Sequence, residues 1–329
     1  DGLYVDAGFP LGTNSAPRVG FDNLDFWAND VEYRRARAGN LGDSGDPFDG
    51  VTGTEFSVLT NPATPSGIAI VNIRRGANGM VADMLLNDPR RAGVVLGNEE
   101  WSGSIRVVAD VVVRPGAELE IAGGTKLTFA ADQLAGGLDP ERTELVVEGA
   151  LKLNPTGGSE LTLTSDRENP AAGDWYGIYL GPSSRLSARA TTIEYPQVGL
   201  RSGTLEGTYR LQALSIREAE QGIGLEDLTG QMELIDLDVR DCLGAAVVVH
   251  GRGSLNMPSA ALLNNGGAGL ARSCGEILFV RGELTGNGLA FQGAANMDLG
   301  AGSFGQVTNS TFRQGTGIRL SLAREVLIR

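Results

Sequence analysis

The chain has 329 residues, 41% of them hydrophobic and 6% aromatic, with a formal net charge of −13. That length holds two domains or one elongated domain with an entry segment, and that apolar content excludes global disorder. The acidic balance argues against sequence-independent nucleic-acid binding, which needs clustered Lys and Arg, and against docking on an anionic membrane.

No apolar run approaches the roughly 20 residues of a membrane helix. An acidic surface suits a secreted or cell-surface protein and attracts cations. The 48 glycines do not fall at every third position, so collagen is excluded; with short Val/Ile/Leu runs they predict many tight turns between short strands. Cys242 and Cys274 read as two buried thiols rather than a bridge. The chain opens on "DGLYVDAG" without a methionine, as expected of a processed product or an excised region.

The first hundred residues carry no repeat. After the mixed stretch "NLDFWANDVEYRRARAG" comes "GDSGDPFDG", Gly42–Gly50, with Asp43, Asp46 and Asp49 set among glycines. Two readings stay open. Hard cations take carboxylate and carbonyl oxygens from flexible Gly loops, so the three Asp are candidate Ca²⁺ ligands, joined by Asp22, Asp25 or Asp30. The same residues also build a tight turn in which Asp side chains cap backbone N–H groups and Pro47 fixes φ. EF-hand spacing is absent. Ile68, Ile70 and Ile73 in one run and Met80, Ala82 and Met84 in the next, parted by "RRGANG", predict a hairpin.

Four phrases occur in order: "DGLYVD", "GDSGDPFDG", "TPSG" and "IVNIRRGANGMVADM". Over about residues 1–86 they resemble the segment that follows the catalytic centre in secreted metallopeptidases of the immune-inhibitor-A type. The resemblance implies a catalytic domain upstream of Asp1 in the same polypeptide, a zinc metalloendopeptidase. The chain itself departs from that family where the chemistry lies. Zinc needs an HExxH helix, and the single histidine here is His250 in "AAVVVHGRG". No zinc site and no peptidase activity are expected of this chain.

Further on, "ELEIAGGTKLTF" (Glu118–Phe129) is echoed by "ELVVEGALKL" (Glu144–Leu153), with Leu119/Ile121 and Leu145/Val147 expected in the core. From Asp174 a repeat of 23 residues appears. Thr191/Ile193, Leu214/Ile216, Leu237/Val239 and Ala260/Leu262 follow one another at that offset, and Gly199 maps to Gly222, Ala245 and Ala268. Apolar residues alternate with polar ones, a turn follows, and no 3.6-residue period occurs. A strand-and-turn repeat of this length predicts a right-handed parallel β-helix of roughly ten coils, stacked at ~4.8 Å. The LxxLxLxxN spacing of a leucine-rich repeat is absent.

"WSGSIRVVADVVVRPGAELEIAGGTKLTF" and "GDWYGIYL" resemble coil openings of secreted bacterial β-helix surface proteins, across about residues 101–329. The phrases carry architecture, not chemistry. The expected organisation is therefore all-β: a β-rich peptidase-type remnant over residues 1–90 and a β-helix over residues 91–329, the repeats starting near Trp101.

Some β-helices cleave pectin with groups on an outer sheet face. With Leu237 and Val239 inward, Asp236, Asp238 and Arg240 point outward. The offset stacks Glu194, Arg217 and Arg240 in one column, and Thr192, Ser215 and Asp238 in the next. Asp236 and Asp238 are a candidate acid/base pair or Ca²⁺ site; the plainer reading is a solvated face with Glu194 paired to Arg217. Paired Asp-Asp, Gly-His-Gly and Arg-x-Lys motifs are missing. Trp101 and Trp175 either stack on sugar rings or pack at coil corners. His250 reads as a hydrogen-bonded structural residue. "GAGLARSCG" and "GAANMDLGAGSFG" lack GxxxxGK[ST], so nucleotide binding is not expected. The function expected is a non-catalytic accessory region, presenting a rigid face to a polysaccharide or cell-surface protein; a free-standing adhesin and a polysaccharide lyase are the alternatives.

Overall fold

A computed structural model describes residues 54–59, 68–77 and 79–265, and the segments 277–280, 282–287, 289–292, 297–299, 303–308, 310–313, 318–320 and 326–328. The "GDSGDPFDG" loop with Asp43, Asp46 and Asp49, the accompanying Asp22, Asp25 and Asp30, and also Ala268 and Cys274 lie outside them. The protein is all-β: every element is a strand, and no helix occurs among the described residues. It divides into two compact units, one ending at Asp88 and the other running on from Pro89.

In the first unit, β1 (Ile68–Gly76) and β2 (Gly79–Leu86) form the expected hairpin. The strands run through Arg74 and Arg75 and close at the Gly76–Gly79 pair, so the turn is shorter than "RRGANG". The register slips between Val71 and Arg74, where Asn72 adopts φ 52° and its Nδ2 donates to Asp83 Oδ2 at 2.9 Å. Ala69 and Ile73 are buried.

The second unit is one large sheet of parallel strands. Its strands are β3 (Arg90–Val95), β4 (Asn98–Trp101), β5 (Ser104–Val113), β6 (Glu118–Ile121), β7 (Lys126–Phe129), β8 (Glu144–Val147), β9 (Ala150–Leu153) and β10 (Leu161–Ser165). Next come β11 (Trp175–Leu180), β12 (Arg185–Glu194), β13 (Pro196–Leu205), β14 (Thr208–Arg217), β15 (Gln221–Leu228), β16 (Gln231–Arg240), β17 (Val247–Gly251) and β18 (Ser254–Leu263). Further short strands continue the parallel pairing to Ile328. The pairing already includes Arg90, ahead of Trp101 where the repeat was expected to start.

Two interleaved series are formed. One runs β12, β14, β16, β18 and the other β11, β13, β15, β17. The register of the first is the one the sequence spacing gives. Thr191 pairs with Leu214, Ile193 with Ile216, Ile216 with Val239, Leu237 with Ala260 and Val239 with Leu262. These residues are buried, in a core that runs without a break from Val95 to Leu262. Parallel strands with apolar residues on the covered face are the sheet counterpart of a continuous core.

The corner after each strand of that series is a left-handed residue. Tyr195, Glu218, Asp241 and Asn264 have φ of 62°, 50°, 59° and 58°. A non-glycine residue there costs roughly 1 kcal/mol. The cost is offset along the ladder, because Tyr195 N–H donates to Arg217 O, Glu218 N–H to Arg240 O and Asp241 N–H to Leu263 O. Behind the corner a small buried residue stacks in each copy. Ala219, Cys242 and Asn265 occupy that place, with Asn265 Oδ1 accepting from Cys242 N–H at 3.1 Å and its Nδ2 donating to Val239 O at 2.9 Å.

From β5 and β6 to β8 and β9 the interval is longer, while β3, β4 and β5 pair onward at shorter ones. Arg114 meets Glu148, Lys152 meets Glu118 and Glu144 N–H meets Asp110, each 34 residues apart. The register therefore corrects the echo seen in the sequence. Glu118–Ile121 pairs with Ala150–Leu153, not with Glu144–Val147, which instead pairs with Val111–Val113 and with Gly177–Leu180. Leu119, Ile121, Leu145 and Val147 are all buried as expected. Part of the added length lies in the loop between β7 and β8, whose base is closed by an antiparallel bridge from Ala131 to Arg142.

Both tryptophans of this unit are inside. Trp175 is stacked on Phe129 with ring centroids 3.9 Å apart, and Trp101 is 4% exposed with its Nε1 donating to Glu99. Neither presents a ring to a sugar.

Candidate functional site

The outer face of β13, β15 and β17 carries a cavity of about 480 Å³. It exists because of what the register places side by side. Arg201 on β13 pairs with Gly224 on β15, and Gly224 pairs with Val248 on β17. Alternation turns these three away from the core formed by Leu200, Ile223 and Val247. The missing side chain at Gly224 is the depression. A Cβ there would lie 2.6 Å from Gln221 Nε2.

Polar groups rim an apolar floor. Val198 and Val248 make the floor, and Gln197, Gln221, Arg201, Glu220, Glu226 and His250 stand around it. Gln221 Nε2 donates to Ile223 O at 3.1 Å, which fixes the amide at the edge. The Arg201 guanidinium lies over the Tyr176 ring at 5.5 Å and reaches Glu226 at 3.7 Å. Burial pushes the Tyr176 phenol above its ordinary range, with Arg201 pulling the other way. The cation is thus held between a ring face and a carboxylate, and Glu220 adds a second carboxylate to the lining, so the groove has no net pull on an anion. Two amides that both donate and accept, an arginine set against two carboxylates and an apolar floor form a recognition set.

The sequence-derived candidates sit elsewhere. Asp238 and Arg240 are joined at 2.7 Å, Arg217 approaches Asp238 at 3.8 Å, and Ser215 Oγ donates to it at 3.4 Å. The columns stack as spacing predicts, with Glu194 beside Arg217, Arg217 beside Arg240, and Thr192, Ser215 and Asp238 in register. Asp236 is exposed at a corner with φ 53°, where the register of β16 slips. Asp238 is turned into a ladder of cations, and neither Asp lines the cavity. His250, read from sequence as purely structural, is half-buried on the groove rim. Arg201 and Gly224 carried no sequence signal as binding residues. A glycine at an outward position within a strand, between an Arg and a Val one repeat either side, is the signal that would have found them.

Among the described residues no group of three or more His, Cys, Asp or Glu side chains is arranged to hold a metal ion. Fold and groove together define an all-β protein with a long parallel sheet and an open, mixed polar and apolar recess on it. No family model, no curated protein and no solved structure matches the chain.

Proposed function

We propose that this chain is a non-catalytic binding region built as a right-handed parallel β-helix, and that its outer groove takes an uncharged, hydroxyl-rich ligand, a neutral saccharide. The groove around Gly224 is the observation that carries the reading. The β-helix is supported by parallel pairing at an interval of 23 residues from β12 to β16, by the stacked corners from Tyr195 to Asn264, and by the single core beneath them. Its handedness follows from the near-universal right-handed crossover between parallel strands. A sugar offers hydroxyls to the two Gln amides and a C–H face to Val198 and Val248. An acidic polysaccharide fits less well, because Arg201 is already matched by Glu226. The resemblance of residues 1–86 supports reading this module as an appendage of a secreted zinc metalloendopeptidase. Sequencing the native gene upstream of Asp1 tests that part, the expected result being an in-frame HExxH segment; a reading frame without one makes the chain a free-standing surface protein.

The groove itself is tested by titrating neutral and acidic oligosaccharides into the protein by calorimetry. Neutral oligosaccharide is expected to bind, and Gly224→Leu is expected to weaken binding at least about tenfold by filling the recess. The fold should tolerate that change, because the nearest atom is the end of the flexible Gln221 side chain, which can swing aside at the loss of its one bond to Ile223 O. Binding of acidic sugars alone, or equal affinity in Gly224→Leu, overturns the assignment.

A further inference from the structure

Away from the groove, two carboxyl groups face each other under the loop between β7 and β8. Asp110 lies on β5 and Glu144 opens β8. Glu144 N–H donates to Asp110 Oδ1 at 2.9 Å, and Glu144 Oε1 accepts from the loop at Asp139 N–H, 2.5 Å away. Glu144 is fully buried, and its other oxygen, Oε2, has no hydrogen-bond partner. That oxygen and Asp110 Oδ2 converge on Gly137 in the loop, so closely that a Cβ there would collide with Asp110 Oδ2 and lie 2.7 Å from Glu144 Oε2. A buried carboxylate oxygen without a donor beside a second carboxylate is costly, and a proton on one of the two removes much of the cost.

We propose that the Asp110–Glu144 carboxyl pair retains one proton beneath Gly137 and thereby latches the Asp132–Glu141 loop onto the sheet, and that loss of the proton releases the loop. A retained proton is favoured over a bound cation because Gly137 packs against both oxygens and no further side-chain ligand completes the set. Two other acids of the loop, Asp132 and Asp139, are already engaged. Asp132 accepts from Leu134 N–H and Gly136 N–H, and Asp139 accepts from Glu141 N–H and pairs with Arg142 at 2.7 Å. The groups facing the pair are therefore Asp132 and Asp139 from the loop and Tyr176 from β11. The loop carries Leu134 and Leu138 exposed on its surface, so the latch sets how those two side chains are presented.

Burial, reinforced by Asp132, Glu144 and Asp139, pushes the Asp110 carboxyl up to about 7, against the pull of the Glu144 N–H. Burial likewise raises Glu144, against the donors at Leu138 and Asp139. With the loop open, Asp110 returns to the ordinary value of 3.8. The closed form holds a proton that the open form gives up. Closure is therefore strongest below the ordinary value, weakens as pH rises, and levels off above about 7.

Hydrogen exchange of the full chain tests this, with the opening constant of the loop amides corrected for intrinsic exchange at about pH 5 and pH 7.5. The loop is expected to open at least about tenfold more at the higher pH, while β14 and β16 stay unchanged. Asp110→Asn, which keeps the acceptor for Glu144 N–H without the charge, is expected to shrink that step at least about fivefold. Should that variant fail to fold, Glu144→Gln is read the same way. An equal opening constant at both pH values in the native chain overturns the proposal, as does an unchanged step in the variant. Restoration of the closed loop at the higher pH by calcium chloride at about 1 mM overturns it too, making the pair a cation site.

Discussion

Trp175→Ala is expected to lower the stability of the parallel-sheet unit by about 4 kcal/mol, the upper part of the range for deleting a buried aromatic. Three losses coincide there. The indole is fully buried, so its whole surface is withdrawn from the core. It lies parallel on Phe129, 7° from coplanar, and that contact disappears. Its Nε1 donates to Glu194 O at 2.8 Å, and alanine leaves that carbonyl without its donor. Trp101→Ala should cost less, because the Trp101 Nε1 bonds to a half-buried Glu99 side chain that water can reach once the indole is gone. Urea unfolding followed by far-UV circular dichroism measures both, the expected order being Trp175 well above Trp101. A loss below about 1.5 kcal/mol at Trp175 would mean that the indole is not packed as described.

The same tryptophan shows where the sequence speaks clearly and where it does not. The interval of 23 residues from Thr191 to Leu262 was legible because each copy has the same length, so equal spacing in sequence becomes a register in space. Leu237 and Val239 point inward, and Asp238 stands beside Ser215, for that reason alone. Between Arg106 and Trp175 the copies carry loops of different lengths, and similarity of short phrases misleads. "ELEI" looks like "ELVV" but stacks on "ALKL", because the loop between β7 and β8 displaces the frame. Trp175 could be read as a sugar platform or as core until the register put it over Phe129. The groove was not legible, because Arg201, Gly224 and Val248 share no chemistry; only their adjacency matters. The carboxyl pair was hidden for the same reason, since Asp110 and Glu144 meet only across the longer interval.

Gly177→Ala is expected to cost about 3 kcal/mol and to weaken the groove as well. Gly177 is the third residue of the "WYGI" phrase, and the structure gives a reason for a glycine there. Its φ is 110°, outside the range of L side chains, and a Cβ would collide with the backbone carbonyl of Val198 on the paired strand. The strain at φ contributes roughly 1–3 kcal/mol, and pushing one strand off its neighbour contributes a similar amount. The register between β11 and β13 slips at this point, so the glycine is what lets the two strands stay paired on either side of the irregularity. Val198 also lies in the floor of the cavity, which ties a backbone requirement on β11 to ligand recognition on β13. Gly203→Ala on the same strand as Val198 is the comparison. Its φ is ordinary, and the nearest atom to a new Cβ is the Tyr179 hydroxyl at 3.3 Å, so the expected change is within about 0.5 kcal/mol. Parallel urea titrations of the two variants, followed by saccharide titration at a temperature where both are folded, separate strain from loss of the site. Equal stability of the two variants would show that β11 relaxes away from Val198, and intact binding in Gly177→Ala would show that Val198 does not shape the groove.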